Sequence, residues 1–374
     1  MSTALAAAPD AGVPERARGA NRYASIPSTL HFAHSHDELA CALVRAADRI
    51  GVRRVALVVG RVGRELLGRS LLIDCRSAFE TTSFVATAAT VAEVERLRAA
   101  VREAGADVVV SCGGGQTLDV GKYSAALEGL PFFSVPTQAT HDGVCSPVAV
   151  LRPSSTARAA SYGAQPPAAL LVPVHVIAQA PRRTFVSGIA DTLANLVACE
   201  DWAWAARVRD EEFDDYAALL ARTAAELITA RAAAFARDDQ PDAFDVETLL
   251  RALVLSGLAM TIAGSSRPCS GPEHLISHAF DELGLGNGTH GEQVGVGCAV
   301  AVRFYDHGLA SVVDVLRRVG APTTPQEIGI EREDALRAVS ISHRVRPGRH
   351  TRLSAALAAD PAFVREVAEE AWSA

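Results

Sequence analysis

The residues with the clearest chemical potential lie in the second half of the chain. His274 and His278 are four residues apart in the segment HLISH, so both side chains project from one face of a predicted helix. His290 begins the segment HGEQVGVG, and Asp191 heads an earlier predicted helix in GIAD. Aspartate and histidine from separate helices can hold a divalent metal and leave a position open for substrate. An HxxxH pair alone is more often a surface feature, but the third histidine and the aspartate favour a metal site.

A glycine-rich segment in the first half could hold a phosphate-containing cofactor. Three glycines stand between a predicted strand and a predicted helix, and polar residues follow them: Gly113, Gly114, Gly115, Gln116, Thr117, Asp119 and Lys122. Glycines let the backbone approach a ligand, and the helix N-terminus offers unpaired N–H groups that suit a pyrophosphate. The segment is neither GxGxxG nor a Walker A sequence, so a plain tight turn is the alternative interpretation.

A second polar loop, PTQATHDGVCSP at residues 136–147, follows an apolar strand. In open α/β sheets, ligands bind in the loops that follow the carboxyl ends of strands. The loop is densely polar, so a cofactor or substrate could bind there. Asp-Gly and Ser-Pro are also ordinary turn dipeptides, so this loop taken alone is a moderate indication.

Lys122 is the only lysine in the chain, because the other 35 of the 36 Lys and Arg residues are arginines. It lies three residues after Asp119, near the start of the helix that the glycines open. A compact ammonium at this position could reach a phosphate or pair with Asp119 from the same helix face, and arginine is not equivalent to it. The alternative is that one lysine survived a strong coding bias by chance.

The elements that must position these residues differ between the two halves. Apolar runs at 55–59, 108–111 and 132–135 alternate with helical stretches such as 91–104, which predicts a mostly parallel sheet. Residues 152–168 are poor in core formers and predict a loop or flap. After Pro181 the pattern predicts helices only, over 188–207, 212–237, 245–263, 272–284, 291–306, 309–319 and 331–344. We therefore predict a disordered tail at 1–20, an α/β domain at 21–180 and a helical domain at 181–374.

Composition narrows the class of protein. The 374 residues carry a net charge of −7 without a basic patch, which argues against a nucleic-acid partner. No run approaches the roughly 18 consecutive apolar residues of a membrane span, and the N-terminus does not have the pattern of a secretory signal. The seven cysteines are widely spaced without a CxxC pair, which indicates reduced thiols and a cytoplasmic location.

Five segments, in order, carry a family resemblance: GGGQTLDVGK, PTQATHDGVCSP, SGIAD, SRPCSGPEHLISH and HGEQVGVG. They resemble the glycerol-1-phosphate dehydrogenase branch of the superfamily of iron-containing alcohol dehydrogenases, glycerol dehydrogenases and dehydroquinate synthases. The resemblance extends from about residue 50 to RPGRHT at 346–351. It implies an N-terminal dinucleotide-binding α/β domain with a parallel sheet, an all-helical C-terminal domain, and an active site in the cleft between them.

The resemblance also implies roles for the candidate residues. The residues expected to hold NAD(P)H are Gly113, Gly114, Gly115, Gln116, Thr117, Asp119, Thr137, Thr140 and Ser146. Asp191, His274 and His290 are expected to hold one divalent metal, with Zn²⁺ as the first expectation and Fe²⁺ or Ni²⁺ as alternatives. The resemblance places Asp142, Asp191 and His278 beside the substrate, and we take His278, Asp142 and Lys122 as catalytic candidates.

The implied reaction is reduction of the C2 carbonyl of dihydroxyacetone phosphate, or of a related phosphorylated ketone. The metal polarises the carbonyl and the nicotinamide supplies hydride. A proton arrives through water or His278, whose unperturbed pKa near 6.5 suits proton transfer. Arg267 is a candidate for the substrate phosphate, only because it precedes the helix that carries His274.

Three other functions remain open at this stage. A glycerol dehydrogenase acting on unphosphorylated polyols shares GGGQTLD. A dehydroquinate synthase-like cyclase, which is a lyase, would carry a lysine just after the Pro-Thr loop, where this chain has HDGVCSPVAVL. A metal-stabilised binding protein is the non-enzymatic alternative.

Two further expectations concern the cofactor and the assembly. Arg61 follows the strand that ends at Gly60, where an arginine could accept the 2′-phosphate of NADP, although a solvated loop residue is the commoner case. A homo-oligomer is expected because most soluble oligomeric enzymes are built from identical chains.

Overall fold

The first half of the chain is built on six parallel strands. The computed structural model describes residues 26–154, 159–236, 239–305 and 307–373, so the tail expected at 1–20 lies outside the described residues. The strands are β1 (Thr29–Ala33), β2 (Arg54–Gly60), β3 (Glu80–Ala86), β4 (Val108–Gly113), β5 (Phe132–Pro136), β6 (Val148–Leu151), β7 (Ala160–Gly163) and β8 (Ala169–Pro173). The order across the parallel sheet is β1-β8-β5-β4-β2-β3, and β6 pairs with β7 separately. The predicted strands at 55–59, 108–111 and 132–135 are confirmed as the centre of the sheet.

The register of the central strands brings the two predicted ligand loops together. Gly113 at the end of β4 is paired with Pro136 at the end of β5, and both strands run in the same direction. The glycine loop after β4 and the polar loop after β5 therefore begin side by side at the carboxyl edge of the sheet, where ligands bind in such folds.

Helices cover both faces of this sheet. They are α1 (His36–Asp48), α2 (Arg61–Gly63), α3 (Arg69–Ala78), α4 (Val91–Ala104) and α5 (Gly115–Glu128). Successive strand residues point to opposite faces. Leu57 of β2 thus packs in the same cluster as Leu43 and Leu71 from α1 and α3. Its neighbour Val58 packs with Leu97 of α4 on the other face.

The short strands β6 and β7 form an antiparallel hairpin beside the sheet, with Val148 opposite Gly163. The prediction of a loop or flap over 152–168 is therefore wrong for Ala160–Gly163. This strand was not visible in the sequence because its four residues, ASYG, are only half-buried and show no apolar alternation. Residues 155–158 lie outside the described part of the chain.

The second half is helical in the part that the structure describes. Its helices are α6 (Val174–Ile177), α7 (Arg182–Arg209), α8 (Asp215–Phe235), α9 (Ala243–Ala263), α10 (Pro272–Leu283), α11 (His290–Ala301), α12 (Ala310–Arg318), α13 (Arg332–Val345), α14 (Arg352–Ala359) and α15 (Pro361–Ala371). The seven predicted helices are confirmed, with ends shifted by a few residues. The last two helices were not predicted. The fold class, an α/β half with a parallel sheet followed by a helical half, is as expected.

Helix α9 is long and apolar enough to cross a membrane by length and composition, with a mean hydropathy of 1.6. However, 67% of that apolar window is buried inside the protein. Leu249 and Leu253 of this helix pack with Leu193 of α7 in one buried cluster. The apolar character of α9 is therefore accounted for by its central position among the helices.

Gly121 holds α5 unusually close to β4, which fixes where the N-terminus of α5 meets the glycine loop. A Cβ at this position would lie 1.8 Å from Ser111 Oγ and 3.1 Å from Ser111 Cβ. We predict that Gly121→Ala lowers the free energy of unfolding by about 1–3 kcal/mol, because it overpacks this contact. Urea denaturation measures the change.

Ser111 supplies the matched control. Its hydroxyl oxygen is buried and makes no hydrogen bond to the described residues, so Ser111→Ala alone should change stability little. Combined with Gly121→Ala, it should recover most of the loss. If Gly121→Ala is as stable as the parent chain, the close approach does not restrict this position.

Candidate active site

Three predicted metal ligands meet at one point. Asp191 lies on α7, His274 lies on α10 and His290 is the first residue of α11. One donor atom from each lies within 4.8 Å of the others. The Nε2 atoms of His274 and His290 are each 3.5 Å from Oδ1 of Asp191. That oxygen is buried and has no hydrogen-bond partner among the described residues. An unsatisfied carboxylate oxygen between two imidazole nitrogens fits a divalent cation.

Glu273 orients the first of these histidines. Its Oε1 lies 2.9 Å from His274 Nδ1 and accepts a hydrogen bond from the backbone N–H of Gly271 at 2.6 Å. A carboxylate behind a metal-binding histidine fixes the ring so that Nε2 points to the metal. Burial tends to lower the pKa of His274, but the neighbouring carboxylates of Asp191 and Glu273 raise it to about 9. The two carboxylates thus favour positive charge at this point, which a bound cation also supplies.

The third ligand depends on how α11 begins. Thr289 precedes the first turn, and its backbone N–H donates a hydrogen bond to Glu292 Oε2 at 2.6 Å. A Cβ on Gly291 would lie 1.9 Å from the carbonyl oxygen of Ser187, so only glycine lets α11 start against α7. Burial lowers the pKa of His290 to about 3, despite the opposing charge of Asp191. The imidazole is therefore neutral, as a metal ligand must be.

Asp142 and His278 border the cluster as expected. The backbone N–H of Asp142 donates a hydrogen bond to Asp191 Oδ2 at 3.0 Å. Burial, followed by the charge of Asp191, raises the pKa of Asp142 to about 8. The ring of His278 lies 6.3 Å from that of His274 and 6.0 Å from that of His290. Burial and the positive charge of Arg346 hold the pKa of His278 well below its usual range, so the expectation of an unperturbed value is wrong.

A cleft of about 1080 Å³ opens between the carboxyl edge of the sheet and the start of α7. Five of the predicted cofactor residues line it: Gly114, Gly115, Gln116, Thr117 and Thr137. Arg61 also lines it, together with Gly60. The remaining four, Gly113, Asp119, Thr140 and Ser146, do not line this cleft. Of these four residues, Asp119 and Ser146 are buried, at 5% and 2% exposure.

His141 connects the glycine loop to the metal cluster, and the sequence analysis did not single it out. A Cβ on Gly115 would lie 2.6 Å from His141 Nε2. The His141 ring is 5.8 Å from the ring of His290. Its Nδ1 accepts a hydrogen bond from the N–H of Gly143 at 3.0 Å, which fixes the ring. The sequence feature that could have indicated a role for His141 is its position in the HDG loop, immediately before Asp142.

Lys122 is fully buried and does not face the cleft. Its ammonium donates hydrogen bonds to the carbonyl oxygens of Gly143 at 2.7 Å and Val148 at 2.8 Å. It also lies 3.6 Å from Asp119 Oδ1, so the predicted pairing with Asp119 is present. The lysine therefore ties α5 to both ends of the segment that follows Asp142.

Arg267 is not available for a substrate phosphate, and that expectation is wrong. Its side chain is buried and pairs with Asp201 at 3.2 Å and with Glu211. It also donates to the carbonyl oxygen of His350 at 2.8 Å. Two carboxylates already satisfy this guanidinium, a structural role that its position before α10 did not indicate.

We call Asp191, His274 and His290 the metal-type cluster. Both the sequence and the fold of this chain are similar to those of a known class of protein. Residues 37–181 match the sequence family described as iron-containing alcohol dehydrogenase. A probable glycerol dehydrogenase from Sinorhizobium meliloti 1021 has the same fold, with a TM-score of 0.72 at 23% identity. The similarity covers 93% of this chain and 97% of that one. A sulfoacetaldehyde reductase from Bifidobacterium kashiwanohense, solved with NAD⁺, has a TM-score of 0.69 at 17% identity and covers 93% and 98% of the two chains.

More similar sequences identify the branch of this class. Glycerol-1-phosphate dehydrogenase (NAD(P)+) of Thermococcus kodakarensis is 38% identical over 337 residues, which are 90% of this chain and 93% of that protein. The enzyme of the same name from Pyrococcus furiosus is 35% identical and covers 88% and 92%. This chain belongs to the glycerol-1-phosphate dehydrogenase family, whose members are NAD(P)-linked oxidoreductases.

We predict that His274→Ala weakens binding of the divalent metal at least 100-fold, because one of three converging ligands is lost. Metal content after dialysis against a competing chelator measures the effect. The matched control is His34→Ala, since the His34 side chain is 52% exposed and lies outside the cluster. Full metal content in His274→Ala would overturn the ligand assignment.

Removal of the buried ammonium should be costly for the fold. We predict that Lys122→Met lowers the free energy of unfolding by about 3–5 kcal/mol, because Asp119 and two carbonyl groups lose a buried partner. Lys122→Arg should also destabilise, since a larger planar fork must enter a fully buried position. Urea denaturation and the KM for the nicotinamide cofactor are the measurements. Arg318→Met removes a positive charge at an exposed position and serves as the control. If neither Lys122 variant changes the free energy of unfolding or the KM, the position of the only lysine has no structural or functional role.

Proposed function

We propose that the protein is a metal-dependent, NAD(P)H-linked dehydrogenase that interconverts dihydroxyacetone phosphate and sn-glycerol 1-phosphate. The observation that carries this proposal is the contact between the cofactor cleft and the metal-type cluster. His141 adjoins Gly115 on one side and His290 on the other. A nicotinamide beside the glycine loop would thus lie next to a carbonyl held at the cluster. The two archaeal relatives named above support the choice of substrate.

The glycine loop and the polar loop are proposed to hold the cofactor. Gly114 and Gly115 open α5, where unpaired backbone N–H groups can bind the pyrophosphate. The cofactor supplies the hydride when it is bound. Arg61 borders the same cleft and leads us to propose that NADPH is accepted as well as NADH. Gly113, Asp119, Thr140 and Ser146 support the loops from behind in this proposal.

The residues proposed to hold the metal are Asp191, His274 and His290, with Zn²⁺ as the first choice. A divalent cation in this position supplies Lewis-acid polarisation of the substrate carbonyl. Asp191 and His274 are 3% and 6% exposed, whereas the His290 side chain is 32% exposed, so two of the three proposed ligands are shielded from water. Electrostatic interactions with a developing negative charge are stronger in such an environment than in solution.

Asp142 and His278 are proposed to orient the substrate. His278 is neutral at physiological pH, because its pKa is held well below the usual range. A neutral imidazole carries one donor and one acceptor nitrogen, so it can hydrogen-bond a substrate hydroxyl and relay a proton from water. Asp142 lies against Asp191 and has a raised pKa, which favours the protonated carboxyl group. In this form Asp142 can donate a hydrogen bond to the substrate.

A coupled assay of NADH and NADPH oxidation tests the proposed substrate. We predict a kcat/KM at least 100-fold higher for dihydroxyacetone phosphate than for dihydroxyacetone, because the phosphate adds charge-assisted hydrogen bonds. The panel of substrates also includes longer phosphorylated ketones, which are assayed in the same way. Treatment with a chelator should abolish turnover, and added Zn²⁺ or Ni²⁺ should restore it.

The same panel distinguishes the competing functions. Equal or better turnover of the unphosphorylated ketone would favour a glycerol dehydrogenase. Absence of net NAD(P)H oxidation with every ketone, together with release of inorganic phosphate from a cyclisable sugar phosphate, would favour a cyclase. Either result contradicts the proposal.

A further inference from the structure

Two arginines after α13 converge on one hydroxyl group. Arg349 is 4% exposed and donates hydrogen bonds to Ser266 Oγ at 2.9 Å and to the carbonyl oxygen of Ser270. Arg346, directly after α13, donates to the same Ser266 Oγ at 3.2 Å. Both guanidinium groups are therefore held against the loop that leads into α10. The arrangement concentrates positive charge at one place and keeps Arg349 rigid.

This cluster borders the metal centre. The charge of Arg346 contributes to the lowered pKa values of both His278 and His290. Contacts place the pair beside the same site: Arg349 donates to the carbonyl oxygen of Ser270, and the N–H of the next residue, Gly271, donates to Glu273, which contacts His274. Arg346 also donates to Ser161 Oγ at 2.8 Å, on β7 of the first half. Its guanidinium thus joins the β6–β7 hairpin to the loop that leads into α10.

Other basic side chains close to the site have different partners. Arg267 pairs with Asp201 and Glu211. Arg183 pairs with Glu292 at 2.6 Å. Lys122 is buried against two carbonyl groups and Asp119, as described above. Arg346 is half-buried, and the hydroxyl groups of Ser266 and Ser161 are among its partners.

We propose that Arg346 and Arg349, with the hydroxyl of Ser266, form the subsite that binds the phosphate of the substrate. This inference rests on the proposed function. In dihydroxyacetone phosphate, one methylene and one ester oxygen separate the reacting carbonyl from phosphorus. The phosphate must therefore lie close to the metal-type cluster, on the side where Arg349 and Arg346 hold the loop that leads into α10. A planar guanidinium matches two phosphate oxygens, and each hydrogen bond is charge-assisted. Arg346 contacts the phosphate, and buried Arg349 holds Ser266 and adds charge.

The contact with Ser161 offers a purely structural alternative. In this alternative Arg346 is a latch, meaning that it only holds the β6–β7 hairpin against the helical half and does not bind substrate. Loss of a latch affects phosphorylated and unphosphorylated ketones alike, whereas loss of a phosphate ligand affects only the phosphorylated substrate. This difference defines the test.

The experiment compares the metal-loaded parent enzyme with Arg346→Gln, Arg346→Lys and the control Arg344→Gln, which removes an exposed charge two residues earlier. For Arg346→Gln we expect kcat/KM for dihydroxyacetone phosphate to fall about 100-fold, mostly through KM. Activity with dihydroxyacetone should stay within about twofold. Arg346→Lys should recover part of the loss, and Arg344→Gln should match the parent enzyme. Calorimetry with inorganic phosphate should show at least tenfold weaker binding to Arg346→Gln.

Three outcomes are informative. Equal losses with both ketones identify a latch and overturn the phosphate subsite, as does unchanged binding of inorganic phosphate in Arg346→Gln. A parent enzyme that prefers the unphosphorylated ketone contradicts the proposed function. In that case, weaker binding of inorganic phosphate to Arg346→Gln would still support an anion site at Arg346.

Discussion

The buried carboxylate of Asp191 is the interaction on which the rest of the site depends. One oxygen accepts the backbone N–H of Asp142, which comes from the α/β half. The other faces His274 and His290 from two further helices. A single side chain therefore sets the position of the polar loop relative to the metal ligands. Ser187 strengthens the same junction, because its hydroxyl donates to the carbonyl of Thr140 and accepts the N–H of Gly291. These contacts join the polar loop after β5 to the helices that carry the proposed metal ligands.

Two neighbouring histidines of the site have pKa values shifted in opposite directions. His274 lies between two carboxylates, which raise its pKa above the ordinary value. His290 faces Asp191 but also other positively charged groups, and desolvation dominates. The contrast shows that identity of the partners, rather than burial alone, decides the protonation of each ligand. It also explains why Glu273 is needed, since that carboxylate balances charge on the side of His274 away from the metal position.

The sequence predicted the parts of the fold and site that have a regular pattern. Strands such as 108–111 and helices such as 272–284 were recognisable, because strand–helix alternation and helical periodicity are local properties. His274 and His278 on α10 share one helix face, so their spacing was informative. Glu273 and Arg346 could not be found in this way, because their roles arise from contacts between distant segments. Arg267 shows the converse error, since proximity in sequence to His274 did not reveal its carboxylate partners.

Complete burial of the only lysine has a consequence for chemical modification. All other cationic side chains apart from histidine are arginines, so the folded surface carries no lysine amine. Reagents that acylate lysine amines, including the common cross-linkers and many fluorescent labels, therefore find no accessible side-chain target while α5 and the segment after Asp142 stay together. Acylation of Lys122 requires this region to open. The rate at which Lys122 becomes labelled thus reports local opening beside the cofactor cleft, without a competing signal from any other lysine.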